Sequence, residues 1–287
     1  MPPFSCSQRS SMDWLLLLAV CVFIGAASGF IAGLLGVGGG LVIVPALILL
    51  FDLMYPDNGP LASRGLTTTV AVATSLACVF VTTVMSGWAQ WRRSHVHLPA
   101  ARRWAPFLVL GGALSGWFAP ALPEVAIRLF IAVLVFTVAI ILSTRWQPTP
   151  GSDLPGRPLS ALMAGCTGFF SGVAGIAGGN MMVPTFMYFN LPIHHAMGTS
   201  SFLGPFVALS GVIAYIGRGW TDTAGDAMLL GYVHVPAFAA ITLGALFFAP
   251  LGVRFAHQRS PRILRALLAV FLIAAALRMG YSALDVF

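Results

Sequence analysis

The 287-residue chain is 58% hydrophobic and 8% charged, with a formal net charge of +7, whereas soluble domains carry about 25% charged residues. So much apolar sequence excludes a soluble globular domain and makes the chain an all-α polytopic membrane protein whose first partner is the lipid bilayer. Its fifteen basic residues are all Arg, mostly gathered in short loops, which is an orientation signal rather than a nucleic-acid-binding stripe.

Apolar runs near the roughly 20 residues needed to cross a bilayer occupy 14–35, 66–86, 104–121, 125–144, 196–216, 231–251 and 263–281. The first could pass for a signal peptide ending near Ser28. It belongs to the fold instead, because Phe30, Gly33 and Gly36 have counterparts deep in the second half. Residues 29–45 and 168–184 share eight of seventeen positions in the frame G-F-x-x-G-x-x-G-[VI]-x-G-G-x-x-x-V-P. Ala73-Thr74-Ser75 follows the first copy and Gly198-Thr199-Ser200 the second, while residues 145–159, rich in Pro and Gly, read as a linker. The chain therefore divides into a first repeat (1–144), a linker (145–159) and a second repeat (160–287).

Charge sets the relative orientation of the repeats. The loop after the first Thr-Ser span carries Arg92, Arg93, Arg102 and Arg103, whereas its counterpart carries Arg218 against Asp222 and Asp226. At the next loop the pattern reverses, with Glu124 and Arg128 in the first half and Arg254, Arg259, Arg262 and Arg265 in the second. If Arg-rich loops face the cytoplasm, equivalent loops lie on opposite sides, which predicts an inverted-topology repeat. Each half is then a re-entrant, Gly-broken helix hairpin plus three transmembrane helices. The return legs, 41–51 and 180–190, would each rise about 16 Å, too short for a core of about 30 Å. Both termini are expected outside and the 145–159 linker on the cytoplasmic side.

The glycines admit two readings. Gly29, Gly33, Gly36 and Gly40, like Gly168, Gly172, Gly175 and Gly179, fall on one helix face and suit a packing seam. The run Gly38-Gly39-Gly40 costs about 1 kcal/mol per residue in a helix interior, so a chain break accounts for it better. New helices should start near Leu41 and Asn180, with Asn180 a good cap and Pro45 and Pro184 at the edge of the first turn. A helix beginning inside the apolar layer offers unpaired N–H groups and partial positive charge, which suit a small anion. The candidate substrate-binding residues are Gly38, Gly39, Gly40, Thr74, Ser75, Gly178, Gly179, Asn180, Thr199, Ser200 and Ser201. A Ser or Thr hydroxyl can instead bond the carbonyl one turn earlier.

Absences narrow the chemistry. All eight acidic residues fall in predicted loops or at span ends, which disfavours a cation carrier. His234 begins a span and His194-His195 precede another, as interfacial residues, while Arg128 and Arg278 snorkel from span ends. The four cysteines show no metal spacing, no Lys-Ser/Thr follows Gly36–Gly40 as a P-loop requires, and no nucleophile–base pair stands out. Neither an enzyme nor a bound cofactor or metal is expected, and nothing in the sequence sets an oligomeric state.

At the paired glycine segments and their Thr-Ser partners the chain resembles the sulfite exporter TauE/SafE family of membrane permeases, from about Trp14 to Tyr281. The resemblance implies transport of sulfur-containing anions such as sulfite, sulfoacetate or related sulfonates across a prokaryotic inner membrane. It points to Gly39, Gly40, Gly178 and Gly179 with the pairs Thr74-Ser75 and Thr199-Ser200. Leu41 stands where the second copy has Asn180, so the site should be asymmetric. The competing expectation is a non-transporting membrane scaffold whose glycines only pack helices.

Overall fold

The computed structural model describes residues 6–35, 39–54, 65–144, 156–223, 226, 228–258 and 262–284. The described chain is mostly helical: α1 (Cys6–Leu35), α2 (Gly40–Met54), α3 (Thr67–Arg92), α4 (Leu98–Phe118), α5 (Glu124–Thr144), α6 (Arg157–Val173), α7 (Gly179–Tyr188), α8 (Ile193–Gly219), α9 (Val235–Gln258) and α10 (Arg262–Leu284). Four helical stretches among the described residues are long and apolar enough to cross a membrane: Trp14–Ala32, Thr67–Arg92, Glu124–Ile141 and Ile193–Gly219. The span expected at 231–251 differs from this. Gly231 turns with φ 55°, so 229–234 form a two-stranded antiparallel ribbon, β1 (Leu229–Leu230) with β2 (Val233–His234), and helix begins only at Val235.

Close approaches at glycine fix the helix directions. Gly25 sits on Ile241 and Gly29 on Ala245, so α1 and α9 run parallel. Gly168 sits on Leu108 and Gly172 on Ser115, so α6 and α4 are parallel too. Gly112 on Val207 and Gly116 on Gly211 align α4 with α8. Against these, α3 lies antiparallel to α8, since Leu76 meets Gly211, Thr83 meets Gly204 and Gly87 meets Ser201. Thr74 meets His234 and Cys78 meets Phe238, so α3 runs with α9, which places α1, α3 and α9 in one direction and α4, α6 and α8 in the other. The first and fourth helices pair across the halves, α1 with α9 and α6 with α4, while α5 packs on α10.

These seams exist because small residues let backbones touch and dispersion contacts accumulate. A Cβ at Gly168 would come within 2.6 Å of the Leu108 carbonyl oxygen, and one at Gly29 within 2.5 Å of the Ala245 carbonyl oxygen. The seam account thus applies to Gly29, Gly168 and Gly172, while Gly36 lies outside the described residues. The larger apolar core wraps α2, whose Ile43, Leu47, Ile48 and Phe51 are fully buried. A second, smaller core gathers α4, α6, α7 and α8 around Trp104 and Phe186, whose rings lie 4.6 Å apart.

Candidate functional site

Helices α2 and α7 begin at Gly40 and Gly179, next to the expected positions, and Gly40 lies against the break before α7; residues 36–38 of the first glycine segment lie outside the described residues. Helix α6 ends in a Schellman motif: Ile176 N–H donates to the Ser171 carbonyl and Gly175 N–H to the Gly172 carbonyl, with Gly175 at φ 69°. Gly178, at φ 75°, then caps α7 from the left-handed region, which glycine alone enters without strain. Asn180 is therefore not the cap; it lies inside the first turn of α7. Gly40, the first residue of α2, is buried against this second break. A Cβ there would meet Val79 at 2.9 Å, and the Gly175 carbonyl oxygen and Ile176 at 3.0 Å.

Each return helix starts near the middle of a long partner. Gly40 faces Val79 of α3, and Ala177 faces Gly204 of α8. The first helical bonds run from Val42 and Ile43 N–H to the Gly39 carbonyl, and from Met181 and Met182 N–H to the Gly178 carbonyl. The amides of Gly40, Leu41, Gly179 and Asn180 are thus the leading donors of their helices. Pro45 and Pro184 sit in the second turn rather than at the edge of the first. Lacking N–H groups, they cannot make the usual i to i−4 bonds to the Leu41 and Asn180 carbonyls. Gly38 lies outside the described residues.

Three of these hydroxyls, on Thr74, Ser75 and Thr199, bond to other elements. Ser75 Oγ donates to the Gly175 carbonyl at 3.0 Å, pinning the second break to α3. Thr74 Oγ1 accepts from the His234 backbone N–H and Thr199 Oγ1 from the His97 backbone N–H, both at 2.9 Å. Each threonine thereby holds the start of the other half's fourth helix. Ser200 is 2% exposed and its Oγ has no partner among the described residues, whereas Ser201 is engaged. An unsatisfied buried hydroxyl costs about 1–3 kcal/mol. Because Gly87 faces Ser201, Ser75 stands about 18 Å from that level at 1.5 Å per residue. The two Thr-Ser pairs are separate stations along the helix axes, not facing walls of one chamber.

The histidines at these stations form a second duplicated motif, unnoticed in the glycine frame. Val96-His97-Leu98-Pro99-Ala100 recurs as Val233-His234-Val235-Pro236-Ala237. His97 Nδ1 accepts from Ala100 N–H at 3.3 Å, and His234 Nδ1 from Ala237 N–H at 3.2 Å. The motif was legible as a V-H-x-P-A repeat, with proline at the second helical position where its missing N–H costs little.

Arg128 does not snorkel. Its guanidinium forks onto Asp52 at 2.7 and 3.0 Å, reaches Glu124 at 3.0 Å, and its Nε donates to Thr68 Oγ1 at 2.7 Å. This cluster ties the end of α2 to α3 and α5. Among the described residues no three His, Cys, Asp or Glu side chains are placed to hold a metal ion.

The sequence profile of the sulfite exporter TauE/SafE family matches residues 21–279, a stretch that contains both breaks, both Thr-Ser pairs and both histidine motifs. The chain belongs to this family. A "probable membrane transporter protein" of Haemophilus influenzae is 31% identical over 265 residues, covering 91% of this chain and 97% of its own. One from Methanocaldococcus jannaschii is 25% identical, covering 92% and 96%, and one from Bacillus subtilis, YunE, is 23% identical, covering 92% and 97%. No solved structure matches.

Proposed function

We propose that this TauE/SafE-family chain is a secondary membrane transporter of small anions, of the sulfite or organosulfonate type, working by alternating access between two inverted repeats at the two helix beginnings near Gly40 and Gly179. The observation that carries the reading is the meeting of Gly40 with Gly175 and Ile176, which sets leading amides of one half against the break of the other. Such N-termini inside an apolar layer call for an anion. Family membership and relatives described as membrane transporters support the transport reading.

Helix directions support the inversion, because α1, α3 and α4 oppose their counterparts α6, α8 and α9. They also gather Arg92, Arg93, Arg102, Arg103 and Arg157, with the C-terminal end of α9, at one face. Asp52, Glu124 and Asp222 stand at the opposite face. By the positive-inside rule the Arg-bearing face is cytoplasmic, which leaves both termini outside and the 145–159 linker inside.

The test is flux into vesicles holding purified protein, with sulfite, thiosulfate, sulfoacetate and taurine offered beside carboxylate controls. Gly179→Leu should place a side chain at the beginning of α7 and cut anion flux at least about tenfold with the protein still inserted. Undiminished flux in that variant, or no flux of any anion through the wild type, overturns the reading.

A further inference from the structure

We propose that the duplicated V-H-x-P-A motifs build two anion stations, one toward each face, and that His234 Nε2–H is the donor of the outer station. The inference rests on the anion-transport reading and adds the contact residue. Its first ground is chemistry fixed by the fold. His234 Nδ1 accepts the Ala237 N–H, and an accepting Nδ1 cannot carry a proton. The neutral ring then has its hydrogen on Nε2, which can only donate to an acceptor.

The second ground is that this donor has been buried without a protein partner. His234 is 1% exposed, and its Nε2 meets no acceptor among the described residues. Its nearest ring neighbour is Phe51 of α2, at 5.4 Å between centroids. The third is duplication: the same cap, and the same cross-half bond to a threonine, recurs at His97. An oxyanion or sulfonate supplies the missing acceptor oxygens at Nε2; Thr74 Oγ1 is held by the His234 backbone N–H, and the ring bonds no carboxylate, with Asp226 acting on it only through its charge. His97 is half-buried where His234 is sealed, so the inner station of this conformation is the open one.

The discriminating variant is His234→Asn. The Asn carboxamide oxygen can still cap the Ala237 N–H, but the distal donor is gone. Titration calorimetry of the purified protein with sulfite and with sulfoacetate should show binding weakened about tenfold or more, with the anion-free melting temperature unchanged. Wild-type-like affinity in His234→Asn overturns the station and leaves the transporter reading standing. No binding of either anion by the wild type overturns both. Should the variant fail to fold, diethylpyrocarbonate labelling of the wild type decides. The expected result is that bound anion protects His97, the half-buried histidine of the open inner station; equal labelling with and without anion, or none in either, overturns the paired stations.

Discussion

Helices α2 and α7 hold matching places in the two halves, yet they are built differently. In α2, 15 residues long, nearly every side chain from Leu41 to Phe51 is buried, and its far end is locked by Asp52 to Arg128. In α7, 10 residues long, only Met182 and Phe186 are buried, and Leu191 stands where the first half has Asp52. The difference teaches that duplication supplied one architecture and divergence assigned unequal tasks. The first return helix is a fixed wall, and the second rests on a thinner set of contacts.

The comparison can be attacked first where the halves are alike. Gly168→Leu forces a side chain into the Leu108 backbone, and Gly29→Leu does the same at Ala245. Both should abolish monodisperse folded protein on size-exclusion chromatography, since overpacking of this kind exceeds about 3 kcal/mol. Survival of either would show that the two seams are not equivalent.

Next comes the contact that only the first half has. Arg128→Ala leaves Asp52 and Glu124 facing each other. It should lower stability by about 2–4 kcal/mol, less than a fully buried pair because Asp52 is 30% exposed. Hydrogen exchange read in the same variant should speed up in α2 until it matches α7, whereas in the wild type α7 should exchange first. The smallest effect separates the two serines. Ser75→Ala removes the bond to the Gly175 carbonyl and should cost about 1 kcal/mol in a denaturation series. Ser200→Ala, which removes a hydroxyl without a partner, should leave stability unchanged or raise it.

Much of this was legible in the sequence, for physical reasons. Glycine clusters cannot continue a helix in an apolar layer, so the starts of α2 and α7 fell within a residue of where the repeat placed them. The existence of apolar helices followed from composition because loops, not lipid-facing helices, carry charge. What escaped was whatever depends on partners distant in sequence. The cap of α7 came from Gly178 rather than Asn180, since a left-handed residue outcompeted a side-chain oxygen. Thr74 and Thr199 looked like lining hydroxyls, but histidine N–H groups 160 and 102 residues away claim them. Arg128 looked like a solvated end charge because Asp52 approaches it only once α2 has folded back.

The seams between α1 and α9, and between α4 and α6, carry a mechanical consequence. Each half lends its opening helix to the other, so the two sequence halves are interlaced and cannot swing past each other as independent blocks. Both seams cut across the duplication: one pairs α1 with α9, the other pairs α4 with α6. A gene severed at the linker would yield two fragments, each missing the surface its first helix needs, and only their joint synthesis would restore the bundle.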